Sequence, residues 1–435
     1  MNFIKEIVDR YKGYYYSSVV LQRFAKVLSL DVLVRASNLF LLPVYLKLMT
    51  QEEFGLFGYF LSIISVFSTI LNFGLYLAQA KLYHDYNAEE KKSFVFTINV
   101  MLIAFLSITV LPIYLLRLDY SIIPVIFSHP VKYELYRDGM FLAIVVTVLS
   151  FMLYNFLMTS ENIRKFQVFN FIKLVTVNSV IIYLLSTSKS DSVMIRLKYS
   201  YIIELFIFVG FSSLYIKHMK PNFNFAYAKK ALVIGIPAMA SAMISVIYTL
   251  NDRVILEKYG NFADLGIYNF GVTYAAILMV IFSSFQSVYL PRFFQEKDVK
   301  KNFHKTKKII SKMGLILAAI GVVLFIILEI VFTLGIINIK YQPVMYILPV
   351  LLVVQIAQAS QQLLSNYVIY FEMVYIGTLF SIGSSILNIG LNLIFIPKLN
   401  FIGAAFSSLI ISLISLIFYY YFVRYKCLGK MAEQP

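Results

Sequence analysis

Apolar runs of about 20 residues recur from Phe24 to Val423, and each is long enough to carry a helix across ~30 Å of hydrocarbon. Backbone amides in lipid must be satisfied within the segment or in a closed barrel. The runs lack the period-two alternation of barrel strands, so each is predicted to be helical. Twelve spans are read: Phe24–Met49, Leu56–Ala80, Phe94–Leu116, Gly139–Thr159, Gln167–Ser186, Lys198–Lys217, Ala231–Leu250, Gly266–Leu290, Ile309–Leu334, Val344–Phe371, Tyr375–Ile396 and Ile402–Val423. Only 14% of the 435 residues are charged and 60% are hydrophobic, whereas an ordinary soluble globule carries roughly 25% charge. The single cysteine, Cys427, leaves no partner for an intrachain disulfide.

The formal net charge is +16, from 38 Lys and Arg against 22 Asp and Glu. In a polytopic membrane protein the placement of these charges matters more than their sum. With the N-terminus in the cytoplasm, 25 basic residues fall on the inner side and 11 on the outer, while Arg35 and Lys173 lie within spans. That asymmetry argues for both termini in the cytoplasm and against a nucleic-acid partner. The densest inner stretch, Arg292 to Lys312, holds eight basic residues and reads as an anchor on anionic membrane lipid. No small-residue cleavage pattern precedes the first span, which is expected to serve as its own insertion signal. There is no GxxxxGK followed by Ser or Thr, so no ATP site is expected, and neither a GxSxG elbow nor an HExxH pair occurs.

Shifting the chain by 211 residues places EEFGLFGYF (Glu52–Phe60) over ADLGIYNFG (Ala263–Gly271), and AKLY (Ala80–Tyr83) over PRFF (Pro291–Phe294). Spans one and two thus correspond to seven and eight, and two six-helix halves follow. The expected organisation is a cytoplasmic segment at 1–23, a first bundle at 24–217, a cytoplasmic linker at 218–230, a second bundle at 231–423 and a cytoplasmic tail at 424–435.

Two stretches carry a family resemblance. Val34–Leu75, VRASNLFLLPVYLKLMTQEEFGLFGYFLSIISVFSTILNFGL, resembles the opening of the Wzx-type polysaccharide biosynthesis (O-antigen) flippases, and Asn251–Phe294 resembles the segment that opens their second half. The resemblance implies the multidrug, oligosaccharidyl-lipid and polysaccharide exporter superfamily: an all-α, MATE-like pair of six-helix bundles around a central cavity, working by alternating access. It implies a transporter and not an enzyme, in a bacterial cytoplasmic membrane. The cargo would be an undecaprenyl-pyrophosphate-linked oligosaccharide moved to the outer leaflet, with a polysaccharide polymerase as a partner. Family cavities are cationic toward the pyrophosphate. No cofactor is implied beyond coupling to a proton or sodium.

Asp31, Arg35 and Asn38 fall at i, i+4 and i+7 of the first span and so share a face. A charge this deep costs at least ~2.5 kcal/mol on insertion scales, which favours a cavity over lipid. Arg35 is the candidate fork for pyrophosphate oxygens, with Asn38 beside it and Asp31 as counter-ion or ion-coupling acid; the plainer reading is a self-neutralising Asp31–Arg35 pair. Lys173 and Arg253 are further candidate phosphate ligands, although both are placed to snorkel. Asp252, Glu204 and Glu329 are candidate ion-coupling acids, or simply rim carboxylates. Polar stripes at helical spacing mark span two (Ser65, Ser68, Asn72, Gln79), span ten (Gln355, Gln358, Gln362, Asn366) and span eleven (Ser381, Ser385, Asn388, Asn392). They serve either sugar hydroxyls, with Asn72 the candidate in span two, or helix–helix hydrogen bonds. Two alternatives stay open: a multidrug or cation extruder of the same superfamily, and a membrane-embedded polymerase or ligase.

Overall fold

A computed structural model describes residue 37 and residues 40–296 and 298–432; these are overwhelmingly helical and include no strand. Among the described residues, ten helices are long and apolar enough to cross a membrane. In chain order the elements are α1 (40–48), α2 (Gln51–Leu71), α3 (Leu75–Leu82), α4 (Ala88–Leu115), α5 (Asp119–Ile126), α6 (Tyr133–Thr159), α7 (Ile163–Thr187) and α8 (Ser192–Ile216). The second half continues with α9 (Phe225–Tyr259), α10 (Phe262–Ala275), α11 (Ile277–Gln295), α12 (Val299–Thr333) and α13 (Val344–Tyr370). The last element, Val374–Ala432, is broken at Asn400 (φ 49°, ψ −130°) into α14 and α15. Pro397, three residues earlier, has no amide hydrogen with which to continue the ladder, and Asn tolerates a positive φ.

Helix starts repeat with the sequence. Thr50 caps α2 by accepting from the Glu53 amide at 3.2 Å, while Glu53 Oε2 accepts from the Thr50 amide at 2.8 Å. In the second half, 211 residues on, Asn261 Oδ1 caps α10 by accepting from the Asp264 amide at 2.8 Å. These matched caps set matched helices, which then cross each other between the two halves. At that crossing a Cβ on Gly55 would lie 1.9 Å from the Phe262 carbonyl oxygen, and a Cβ on Gly266 would lie 2.2 Å from that of Gln51. Only hydrogen fits at either position.

The second span is not one helix as expected: α2 and α3 are separated at Phe73 (φ 50°) and Gly74 (φ 63°). Gly74 is held against the backbone of Gly235 on α9, where a Cβ would sit 2.0 Å from the Gly235 oxygen, so both the positive φ and the close approach require glycine. Residues 291–308, expected to connect spans eight and nine, are helical apart from a short connection near Glu296 and Asp298. Asp298 caps α12 by accepting from the Lys301 amide at 3.0 Å, and Lys305 Nζ reaches Glu296 at 2.5 Å.

The rim of the molecule is apolar. On α12, Leu315, Val322, Val323 and Ile326 are each more than half exposed, and Ile103, Ile108 and Leu111 repeat the pattern on α4. Water would not tolerate so continuous a patch, whereas lipid solvates it. Aromatic side chains fill the interior of the second half, where Phe270, Phe282, Phe293, Tyr341 and Tyr367 are almost wholly buried.

Candidate functional site

Between the halves lies a cavity of about 600 Å³. From the first half it is lined by Leu41 and Tyr45 of α1, Phe57, Ser62 and Ser65 of α2, Asn178 of α7 and Arg196 of α8. From the second half come Val246, Leu250 and Arg253 of α9, with Asn269 and Thr273 of α10. Gly58 and Asn269, themselves 211 residues apart, face each other at its wall.

Two guanidinium groups enter from opposite sides. Arg196 sits in a π-helical turn (Ile195–Tyr199) near the start of α8. Its guanidinium carbon lies 3.9 Å from the centre of the Tyr45 ring and 3.8 Å from that of Phe57, a cation sandwiched between two aromatic faces. Tyr45 is fixed in turn by donating its hydroxyl to Asn178 Oδ1 at 2.7 Å. Arg253 donates from Nε to Asn269 Oδ1 at 2.7 Å. The stack and the amide hold each fork in place, and such planar forks match the oxygens of a phosphate or carboxylate.

Asp252 adjoins Arg253 in sequence, but successive helical residues are about 100° apart, and it points into the second bundle. Its carboxylate accepts from Tyr268 Oη at 2.6 Å, Asn392 Nδ2 at 2.8 Å and Ser408 Oγ at 3.4 Å. Asn392 Nδ2 is shared with Asn388 Oδ1, which also accepts from Asn251. Asn392 is fully buried and its Oδ1 has no hydrogen-bond partner among the described residues. A half-turn of that amide would present a second oxygen beside the carboxylate. The cluster then offers carboxylate, amide and hydroxyl oxygens, the donor set of a hard cation.

A polar contact joins the halves at their predicted outer end. Glu257, 1% exposed, accepts from the amide of Ser128 at 2.9 Å and from that of His129 at 2.9 Å, and His129 Nδ1 lies 3.4 Å away. Tyr341 adds a hydroxyl bond to the Met49 carbonyl at 3.3 Å, and Gln51 donates to the Lys340 carbonyl.

The residues proposed from sequence are distributed as follows. Arg253 lines the cavity. Lys173 and Glu204, assigned separate roles, meet each other at 2.5 Å between α7 and α8 within the first bundle, away from the cavity. Asn72 is buried where α2 ends, with its Oδ1 toward the Tyr76 amide, and does not line the cavity either. Glu329 is exposed on α12 among lipid-facing Ile326, Ile327 and Ile330. Asp31, Arg35 and Asn38 lie outside the described residues. Arg196 was missed because hydropathy leaves it in an outer loop; the apolar Met194, Ile195 and Leu197 around it were the available cue.

A family model described as "Polysaccharide biosynthesis protein" matches residues 21–297, more than half of the chain. The chain belongs to that family. Its fold is also found in a structure of "Lipid II flippase MurJ, inward closed conformation", with a TM-score of 0.73 at 17% identity, covering 94% of this chain and 88% of that one. An inward-facing multidrug resistance MATE family transporter of the MOP superfamily gives 0.70 at 13% identity, over 93% of this chain and 100% of that one. A MOP superfamily transporter from Pyrococcus furiosus gives 0.56 at 15% identity, over 94% and 95%. No curated protein matches. The family and the MATE-like two-bundle fold expected from the sequence are thus the ones found.

Proposed function

We propose that this member of the family is a flippase for a polyprenyl-pyrophosphate-linked oligosaccharide, undecaprenyl in a bacterial cytoplasmic membrane, working by alternating access. The observation that carries this reading is the pair Arg196 and Arg253, one from each half, converging on a single cavity. A pyrophosphate carries charge on several oxygens, and two rigid forks can take it from opposite sides. The polyprenyl chain would stay in lipid while the headgroup crosses between the bundles. Similarity to a protein titled lipid II flippase supports a lipid-linked cargo.

Ion coupling would run through the Asp252 cluster, whose oxygens suit sodium and whose carboxylate suits a proton. A cation there would neutralise Asp252 next to Arg253 and replace the bonds from Asn392, so occupancy would reach the cavity through one helix. The multidrug-extruder alternative is less well served, since an organic cation would meet two guanidinium groups.

The test is the leaflet distribution of lipid-linked oligosaccharide in cells lacking the gene, complemented with wild type, Arg196→Glu or Arg253→Glu. Accumulation on the inner leaflet, relieved by wild type and by neither variant at equal membrane abundance, is the expected result. Normal export by both variants would sink the reading. Complete units on the outer face that stay unpolymerised would instead point to a polymerase or ligase.

A further inference from the structure

The second bundle holds a cavity of about 420 Å³, within the usual range for small-molecule sites. Part of each polar stripe, Gln358 and Gln362 of α13 and Ser381 and Ser385 of α14, turns toward it and is joined by α15. Gln358, Gln361 and Gln362 face Ser384, Ser412 and Ser415 across the space. No charged side chain is among the described residues that line it. Two aromatic residues, Phe380 and Tyr419, complete the wall; Phe380 is locked by stacking on Phe418 at 3.9 Å between centroids.

This chemistry is specific. Hydroxyls and primary amides both donate and accept, as sugar hydroxyls require, while an aromatic face suits the C–H face of a pyranose ring. Such density of polar groups would be costly against lipid, so the stripe serves an aqueous or ligand-filled space. Its position agrees. Ile244 lines this cavity and Val246 the one holding Arg196 and Arg253; they are about 3 Å apart along α9 but about 200° apart around it, so the two cavities adjoin the same helix on different faces. Along α10 and α11, Thr273 lines the cationic cavity and Met279 the neutral one, which places the neutral cavity nearer the predicted cytoplasmic end, the order in which sugar follows pyrophosphate in a lipid-linked glycan.

We infer that this cavity is the glycan subsite and that it selects uncharged sugars next to the pyrophosphate. The inference rests on the flippase reading above. An acidic sugar would bring a carboxylate among groups that offer it no cation, and would be rejected.

The experiment reconstitutes the full chain into vesicles with three probes: polyprenyl pyrophosphate without sugar, the same carrier with a neutral disaccharide, and the carrier with a disaccharide containing a uronic acid. Retention of each carrier and its transfer between leaflets are measured for wild type, Gln361→Arg and Ser384→Lys. Wild type should move the neutral glycan about tenfold or more faster than the acidic one. Either added cation should narrow or reverse that ratio while leaving retention of the sugar-free carrier unchanged. Equal rates for the two glycans in wild type, or a ratio unmoved in both variants that still retain the carrier, overturns the subsite and leaves the flippase reading standing. Failure to retain or move any of the three carriers overturns both.

Discussion

Gly55 and Gly266 occupy the same place in the two halves of the sequence and pack backbone against backbone, each within reach of the carbonyl preceding the other's helix turn. The duplicated segment therefore does more than reveal an ancient repeat: it meets its own copy, and the meeting point lies on the pseudo-twofold axis between the bundles. The contact lies at the predicted outer end, where it would hold the cavity closed.

Gly55→Val should force α2 and α10 apart, with overpacking of about 1–3 kcal/mol against the closed form. In a Cys427→Ser background, Ser62→Cys should become more reactive toward an impermeant maleimide added from outside. Unchanged labelling together with an unchanged melting temperature would show that the crossing does not seal the cavity.

Arg196 is held by its flat face, which an ammonium cannot copy. Arg196→Lys should lose about 1–2 kcal/mol of cation–π contact with Tyr45 and Phe57, roughly tenfold in transport, despite keeping its charge. Export by the Lys variant at the wild-type rate would mean that charge alone matters at this position.

For Asp252, the measurement is the melting temperature of purified protein in sodium against choline, at two pH values. Wild type should be stabilised by sodium or by a proton, and Asp252→Asn should be indifferent to both. Glu329→Gln, altered on the lipid-facing surface of α12, should behave as wild type. A wild-type protein blind to both ions would remove this cluster from the coupling scheme.

Asp119 and Arg137 form a buried pair at 2.7 Å at the predicted outer end, with Tyr133 Oη donating to the same carboxylate at 2.8 Å. Burial alone would raise the Asp119 pKa, but the Arg137 guanidinium and the Tyr133 hydroxyl outweigh it and hold the carboxyl below its usual range. A depressed folded pKa means that the stabilisation is present above about pH 4 and is lost as pH falls through the folded value. Arg137→Ala should cost about 3–5 kcal/mol at neutral pH, and the gap to wild type should close under acid conditions. A gap that is constant with pH would show that the lost interaction is packing and not charge.

Much of this architecture is legible in the sequence because its causes are local. Hydropathy marks the spans and the 211-residue repeat pairs their acidic starts, Glu53 and Asp264, although α2 and α10 begin at Gln51 and Phe262, ahead of the expected Leu56 and Gly266. The site is less legible because it depends on helix rotation. Lys173 and Glu204 are 31 residues apart on different helices, and only their relative orientation makes them a pair and not two cavity ligands. Arg196 follows a polar run, Ser186 to Ser192, at a span boundary where hydropathy reads a loop, and the π turn that aims it inward has no sequence period of its own. Asp252 and Arg253 read as one interfacial dipeptide, yet the helix sends Asp252 into the second bundle and Arg253 to the cavity between the halves.

The contact at Glu257 has a consequence for how this protein can vary. Its hydrogen-bond donors are the main-chain amides of Ser128 and His129, so those two bonds survive any substitution at either position except proline, while the His129 imidazole 3.4 Å away adds a contact of its own. The loop at Ser128 can therefore change the surface it presents at the predicted outer end, and whatever meets that surface, while its main-chain link to Glu257 stays the same.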